Sequence, residues 1–323
     1  MITIEKYNHK MLNIWDDFIS NANNGTIFHT QKFISYHITR DFNNHSLLFY
    51  YNKKLVCLLP AAKLKDALCS HPGASFGGLI FNNTLSFKII SSILESLIYY
   101  CKQRFKSIII INTPLIYYKT FDDSINYLLL WNHFKCSEHY ISHFVDLTRK
   151  KTVGELLSKR KKRYINNMIS NKTFSLILSK KFNEFYSILL DSKQSFDSTP
   201  THSLEEIKKL HLMFPNDIKL FLSMKNGQVA GGALIFYTSQ NTCLVFYNVV
   251  KAQYKNSQLA ALQLYNCMKQ AKKQGSSIID FGVSHIPESK MPLEPKTSLI
   301  QFKEQFGAKG VLRTVYKKDF NEK

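Results

Sequence analysis

His285 follows a short apolar run, Ser277–Phe281, and opens a segment punctuated by Pro287, Pro292 and Pro295. An imidazole there can take a proton near neutral pH, so His285 is the candidate general base, with a solvated loop histidine as the alternative. Asp280, near the carboxyl end of the same run, is placed either to orient a base or an acceptor, or only to close a turn. Lys159-Arg160-Lys161-Lys162-Arg163 is the densest positive run. Five helical residues wrap more than one turn, so part of the run faces solvent. Arg160 and Arg163 are either that solvated face or a clamp for a diphosphate, which guanidinium forks grip bidentately. His71 and Ser75 belong to a Gly/Pro-rich stretch, 71–78, and are candidate contacts to acceptor hydroxyls or plain turn residues. His139 and His143 have a histidine-pair spacing of four, but they alternate with Ile141 and Val145 on a strand-like run and no glutamate follows the first. No metal site is expected.

Composition bounds what these residues can serve. The chain has 323 residues, 45% of them hydrophobic, with 24 Phe and 17 Tyr, which is enough for a packed core and excludes wholesale disorder. A formal charge of +20 suits a protein that meets polyanions: nucleic acid, nucleotide phosphates, coenzyme A or an acidic membrane face. Met1–Tyr7 alternates like a strand and no stretch of about 20 apolar residues is present, so neither a secretory signal nor membrane insertion is expected. Six cysteines are scattered without a Cys-x-x-Cys pair, five of them in apolar surroundings. Buried free thiols in a reducing cytoplasm follow.

The elements that must position the candidates read most clearly in the second half. Thr152 and Glu155 form a capping box, with a helix expected to run to about Ser170. Ser203 and Glu206 form another, and that helix must stop near Phe214 because Pro215 follows. Ile218–Met224, the turn at Asn226-Gly227, Val229–Tyr237, a turn at 239–241 and Thr242–Val250 predict a three-stranded antiparallel meander. Then come a helix over Ser257–Gln274 ended by Gly275, the strand Ser277–Phe281, the proline-rich loop, a helix over Ser298–Phe306 closed by Gly307, and the strand Val311–Lys317. The first half has the same order: helices at Met11–Ala22 and Gln31–His37, a hairpin Ser46–Tyr51 with Leu55–Lys63, a strand near Leu68, a helix over Leu85–Phe105, the strand Ser107–Asn112, a helix over Tyr118–His133, and the strand Tyr140–Leu147. The repeat predicts two domains of one fold, 1–150 and 151–323, packed across a cleft.

That element order resembles the GNAT acyltransferase order. Gly275 and Asp280-Phe281-Gly282, followed by Phe302-Lys303 and Phe306-Gly307, resemble the ending of the FemABX-like family, in which a doubled GNAT domain covers the whole chain. Residues 71–78 and 200–206 resemble segments of members associated with bacterial surface-polysaccharide synthesis, including lipopolysaccharide O-antigen. The resemblance implies a mixed α/β fold of tandem GNAT-like domains, each a mostly antiparallel sheet flanked by helices. It also implies N-acyl transfer. In GNAT folds a backbone N–H on a splayed strand holds the thioester carbonyl, which makes Tyr247, Asn248 and Val249 the candidates here. The donor pyrophosphate sits on the amino end of the following helix, here Lys255, Asn256, Ser257 and Gln258. That region lacks the glycines of the usual acetyltransferase phosphate loop. Lys303 matches a family lysine that approaches donor phosphate, with a solvated helix lysine as the alternative.

Family members differ in donor and acceptor. Some extend peptidoglycan peptides from aminoacyl-tRNA, several of them with a coiled-coil arm that this chain lacks. Others use acyl-CoA to acylate nucleotide-linked amino sugars. The expected function is acyl-CoA-dependent acylation of a dTDP-3-amino-3,6-dideoxyhexose in the cytoplasm. The alternatives are an aminoacyl-tRNA-dependent peptidyltransferase and a non-catalytic RNA-binding protein. Aromatic and basic residues do not interleave in an RNA-binding motif, and no DNA partner is expected.

Overall fold

The computed structural model describes residues 1–38, 40, 42–83, 85–194, 198–239, 241–286 and 294–320. Gln240, expected in a turn, and Pro287 and Pro292, expected to hold a loop open, lie outside them. The chain forms two compact units, Met1–His139 with Leu312–Lys323, and Tyr140–Val311.

The first unit contains β1 (Ile2–Lys6), α1 (Leu12–Asn21), α2 (Gln31–Ile34), β2 (Asn43–Asn44), β3 (Leu47–Tyr51), β4 (Lys54–Leu59), β5 (Ala61–Leu64), β6 (Ala67–Ser70), β7 (Ile80–Phe81), α3 (Phe87–Lys102), β8 (Ser107–Ile111) and α4 (Ser124–Trp131). Strands β1, β3, β4 and β7 form one sheet in that order. The expected strand Leu55–Lys63 is interrupted at Pro60, which has no N–H for a ladder. Its two pieces pair differently, β4 with β3 and β7, and β5 with β2 and β6. Helix α3 crosses between the parallel neighbours β6 and β8 and buries Ile90, Ile93, Leu94, Leu97 and Cys101. The helix expected over Tyr118–His133 is shorter, preceded by a 3-10 turn at Leu115–Tyr117.

Strand β9 (Lys135–Asp146) starts before the expected Tyr140. The second unit continues with α5 (Lys159–Ser170), β10 (Ser175–Ser179), α6 (Phe182–Gln194), α7 (Leu204–Met213), β11 (Ile218–Lys225), β12 (Gln228–Tyr237), β13 (Thr242–Val250), α8 (Leu259–Lys273), β14 (Ile278–Val283) and α9 (Thr297–Glu304). β15 (Lys309–Asp319) follows, and its residues from Leu312 onward belong to the first unit, where they pair with β8. The sheet of the second unit runs β10-β11-β12-β13-β14-β9. The meander β11–β13 matches the reading of the sequence, and α8 crosses between the parallel neighbours β13 and β14. Leu259, Leu262, Cys267, Met268 and Ala271 of α8 pack into the core of this unit.

One expected helix divides. Thr152 and Glu155 cap only a 3-10 turn, Val153–Glu155, and α5 starts afresh with Ser158 as its cap. Strand β10 and helix α6 were not anticipated. All six cysteines are free; five are buried and Cys136 is exposed. Among the described residues no helix is long and apolar enough to cross a membrane.

Candidate functional site

Strands β13 and β14 lie side by side only through Thr242↔Ile278, Cys243↔Ile279 and Leu244↔Asp280, yet β13 runs on to Val250 and β14 to Val283. Both strands carry an irregularity where they part. On β13, Leu234 opposes Tyr247 and Ile235 opposes Val245, so Phe246 is an extra residue. On β14, Asp280 opposes Phe144 and Val283 opposes Ser142, so three steps face two, and Gly282 has φ +74°. Bulges bend a strand and increase its twist, which is how two neighbours are made to diverge. Beyond Leu244, alternate residues of β13 turn their backbone groups away from β12 and toward this gap.

A cavity of about 450 Å3 fills the gap. Val245–Val249 line it from β13 and Phe281, Val283 and His285 from the β14 side, with further lining from Leu189, Ser192 and Lys193 of α6, Ala260 and Leu264 of α8, Ser198, and Lys296, Leu299, Phe302 and Lys303. Its surfaces are mostly hydrocarbon with a few polar atoms, as small-molecule sites usually are.

Several expected site residues meet here. Tyr247 is buried, its hydroxyl accepting from Thr201 N at 3.2 Å, and burial pushes its pKa up. The Asn248 amide donates to Ala260 O at 3.1 Å, tying β13 to the first turn of α8, and its Oδ1 has no partner. The Val249 carbonyl accepts from Gln263 at 3.3 Å. His285 is half-buried, its ring centroid 5.4 Å from that of Tyr140, and its Nδ1 has no hydrogen-bond partner. Burial, with Lys303 and Lys193 nearby, lowers its pKa. The imidazole is therefore held neutral, the form a base requires.

Of the two readings of Lys303, the solvated helix lysine is excluded by burial. Lys303 is 4% exposed, and its ammonium donates to Gly282 O at 2.8 Å, Val283 O at 3.0 Å and Ser284 Oγ at 2.9 Å. These three acceptors all belong to the end of β14 and the residue after it. Asp280 does not line the cavity. It is fully buried in β14, where Oδ1 accepts from Ser142 Oγ at 2.8 Å and Gly282 N at 2.7 Å.

The start of α8 also differs from expectation. Its first helical residue is Leu259, and Gln258 is the cap in a left-handed conformation, φ +60°. The Ser257 hydroxyl donates back to Tyr254 O at 2.7 Å, while Lys255 and Asn256 are exposed. No side chain caps α8, so its first N–H groups are left for another acceptor. From the basic run, Lys161 reaches this helix start. It is 4% exposed, donates to Gln258 Oε1 at 2.7 Å, and lies over the Phe302 ring. Arg160 and Arg163 are exposed beside Tyr164 and do not line the cavity.

His71 and Ser75 belong to the first unit. His71 is fully buried rather than presented to an acceptor; neither ring nitrogen has a partner, and burial, with His37 nearby, lowers its pKa to about 3. Ser75 is half-buried. The α6 contributions were missed, although Phe182, Phe185, Ile188 and Leu189 carry a helical spacing that announces that element.

No family model and no curated protein matches the sequence. Solved structures do. FemX aligns over 98% of this chain and 97% of its own, with a TM-score of 0.70 and 11% identity. L-PGS from Bacillus licheniformis aligns over 99% and 94%, with a TM-score of 0.60 and 12% identity. A tandem GNAT protein from the clavulanic acid biosynthesis pathway aligns over the full length of both chains, with a TM-score of 0.57 and 9% identity. At such identities the likeness is one of fold, and the fold of this chain is the tandem GNAT fold.

Proposed function

We propose that the chain acylates an amine from an activated, phosphate-bearing donor, with the reacting carbonyl held in the gap between β13 and β14. The observation that carries this is the divergence of the two strands after Leu244↔Asp280, with a cavity in the opening and a neutral His285 on its wall. A backbone N–H of Tyr247, Asn248 or Val249 polarises the carbonyl. The amine nitrogen attacks the carbonyl carbon, and a C–N bond forms as the bond to the donor's sulfur or oxygen breaks. His285 takes the proton that the amine loses, and the departing thiolate or alkoxide is protonated in turn. The uncapped start of α8 receives donor phosphate, with the Lys161 charge behind it.

Aminoacyl-tRNA is the donor the observations support best, and a peptide amine then the acceptor. The chain matches FemX along nearly all of both lengths, and +20 charges suit a polynucleotide. The lack of a coiled-coil arm does not weigh against this donor, because 97% of FemX is matched without one. A second reading keeps acyl-CoA as donor and a nucleotide-linked amino sugar as acceptor. It is favoured by the largely apolar cavity and by the likeness to a tandem GNAT protein.

The test offers both pairs to the purified protein. Charged tRNA is supplied with a peptidoglycan-type peptide, and acetyl-CoA or longer acyl-CoAs with a dTDP-amino sugar, each product being read by mass. Aminoacyl transfer to the peptide alone supports the first reading, and thiol release with sugar acylation alone supports the second. Failure with both pairs sinks acylation at this site.

A further inference from the structure

We propose that Asp280 and Lys303 are positioning residues that together hold the bulged end of β14, keeping it apart from β13 and aiming His285 at the cavity. The inference rests on the proposed reading of the gap as the acylation site.

An extra residue in β14 has to be stabilised where it stands, because it breaks the ladder with β9 between Asp280 and Val283. Two side chains do this from opposite directions. Asp280 reaches forward along its own strand and accepts from Gly282 N at 2.7 Å, closing a tight turn at a residue with φ +74°. Its Oδ1 also accepts from Ser142 of β9 at 2.8 Å, fixing the bulge to the neighbouring strand. Lys303, arriving from α9, takes the carbonyls of Gly282 and Val283 and the Ser284 hydroxyl. The ammonium thus holds both carbonyls at the point where the ladder with β9 is irregular.

The Ser284 hydroxyl, which accepts from Lys303, also hydrogen-bonds His143 Nδ1 at 2.9 Å. Thus α9, β14 and β9 are joined beneath the cavity through side chains each at most 4% exposed. His285 is the next residue. Its bridge to Pro295 and the bond from Lys296 N to Ser284 O fix where it emerges. Lys303 from α9 and Lys193 from α6 are the charges that act on its titration, Glu294 and Lys296 flank its bridge partner Pro295, and the Tyr140 ring of β9 lies against it. A lysine bound to these internal acceptors acts on the reaction through His285 and the shape of the gap.

The experiment compares Lys303→Met, Asp280→Ala and Asp280→Asn with the parent chain. It measures kcat and donor KM across pH, the NMR titration of His285 (assigned with His285→Asn), and the amide signals of Val283 and Ser284. Lys303→Met is expected to lower kcat at least tenfold with donor KM within threefold, to move the His285 titration upward, and to shift both amides. Asp280→Asn keeps an acceptor oxygen for Gly282 N and Ser142 Oγ and should shift the amides less than Asp280→Ala, which should also lower kcat. A rise in donor KM with kcat, titration and amides unchanged would place Lys303 against phosphate and overturn the proposal. If Lys303→Met does not fold, the Asp280 pair decides: parent-like kcat and amides in Asp280→Ala also overturn it. The NMR readouts need no turnover, so a chain that acylates nothing would refute the proposed function while still reporting on the brace.

Discussion

At the scale of single residues, the site rests on a histidine whose surroundings keep it uncharged. Burial, then Lys303, then Lys193 lower the His285 pKa, so the neutral base persists below the ordinary imidazole range. The sign follows directly. The active form is populated above that lowered value, so the acid limb of kcat/KM should lie below pH 6.5 and activity should be flat above it until another group titrates. His285→Asn keeps a polar side chain without the base, and is expected to lower kcat by roughly 10²-fold and remove that limb. Parent-like rates for this variant from pH 6 to 9 would mean that the amine arrives already neutral. His285 was legible because a histidine just past a strand in a proline-marked loop is visible in one dimension. The brace beneath it was not. Lys303 reads as a phosphate contact or a solvated helix lysine, and neither reading contains the two carbonyls and a hydroxyl that residues some twenty positions earlier supply.

Among elements, the gap depends on how closely β12 and β13 approach beside it. Gly231 and Gly232 lie opposite Val250 and Val249. A Cβ on Gly231 would come within 2.6 Å of both the Gln263 amide and the Val249 carbonyl oxygen, and 3.0 Å from Val250 Cα. Backbone atoms cannot swing aside, so Gly231→Ala must push β13 outward and break the Gln263–Val249 bond. We expect a loss of roughly 1–3 kcal/mol in stability, with weakened donor binding, measured by denaturant unfolding and calorimetry. Gly227→Ala is the control for glycine loss, because nothing stands within 4 Å of its Cβ position, although its φ of +77° adds local strain. An equal loss of donor binding in both variants would show that packing beside the gap is not what matters. The meander carrying these glycines was legible from Asn226-Gly227 and the flanking apolar runs. The bulge at Phe246 was not, since one extra residue leaves apolar composition unchanged. Strand β10 was hidden for another reason. It is an edge strand whose Ile177 and Leu178 are both exposed, so it shows no inward–outward alternation. The break at Ser158 is not legible in one dimension because Leu156 and Leu157 continue a helical spacing across it.

For the molecule as a whole, stability should fall in acid, and the first unit is where the cause can be located. His29 and His71 are both fully buried there, and burial lowers each pKa to about 3. Unfolded, both titrate near 6.5. Above that value neither state binds the protons, and stability is at its full level. As pH falls from 6.5 toward 3 the unfolded chain takes up two protons that the folded unit refuses. Each costs about 1.4 kcal/mol per pH unit, or roughly 2.7 kcal/mol per unit for the pair. His45, lowered to about 4 by burial and by Lys6, Lys63 and Arg104, acts in the same direction with less weight because it is half-exposed. The chain carries its own probe. Trp15 is fully buried in this unit and its indole donates to the His29 carbonyl at 2.8 Å, whereas Trp131, the other tryptophan, is 68% exposed. In a Trp131→Phe background, Trp15 emission should report a midpoint in urea that is constant from pH 8 to 7 and drops steeply from pH 6 to 4.5. His71→Asn removes one proton site at a position whose φ of +23° an asparagine tolerates better than most residues. It should lower stability at pH 8 through lost packing yet roughly halve the slope below pH 6. A midpoint independent of pH down to 4.5, or an unchanged slope in His71→Asn, would mean that these imidazoles find protonation partners when the unit is acidified.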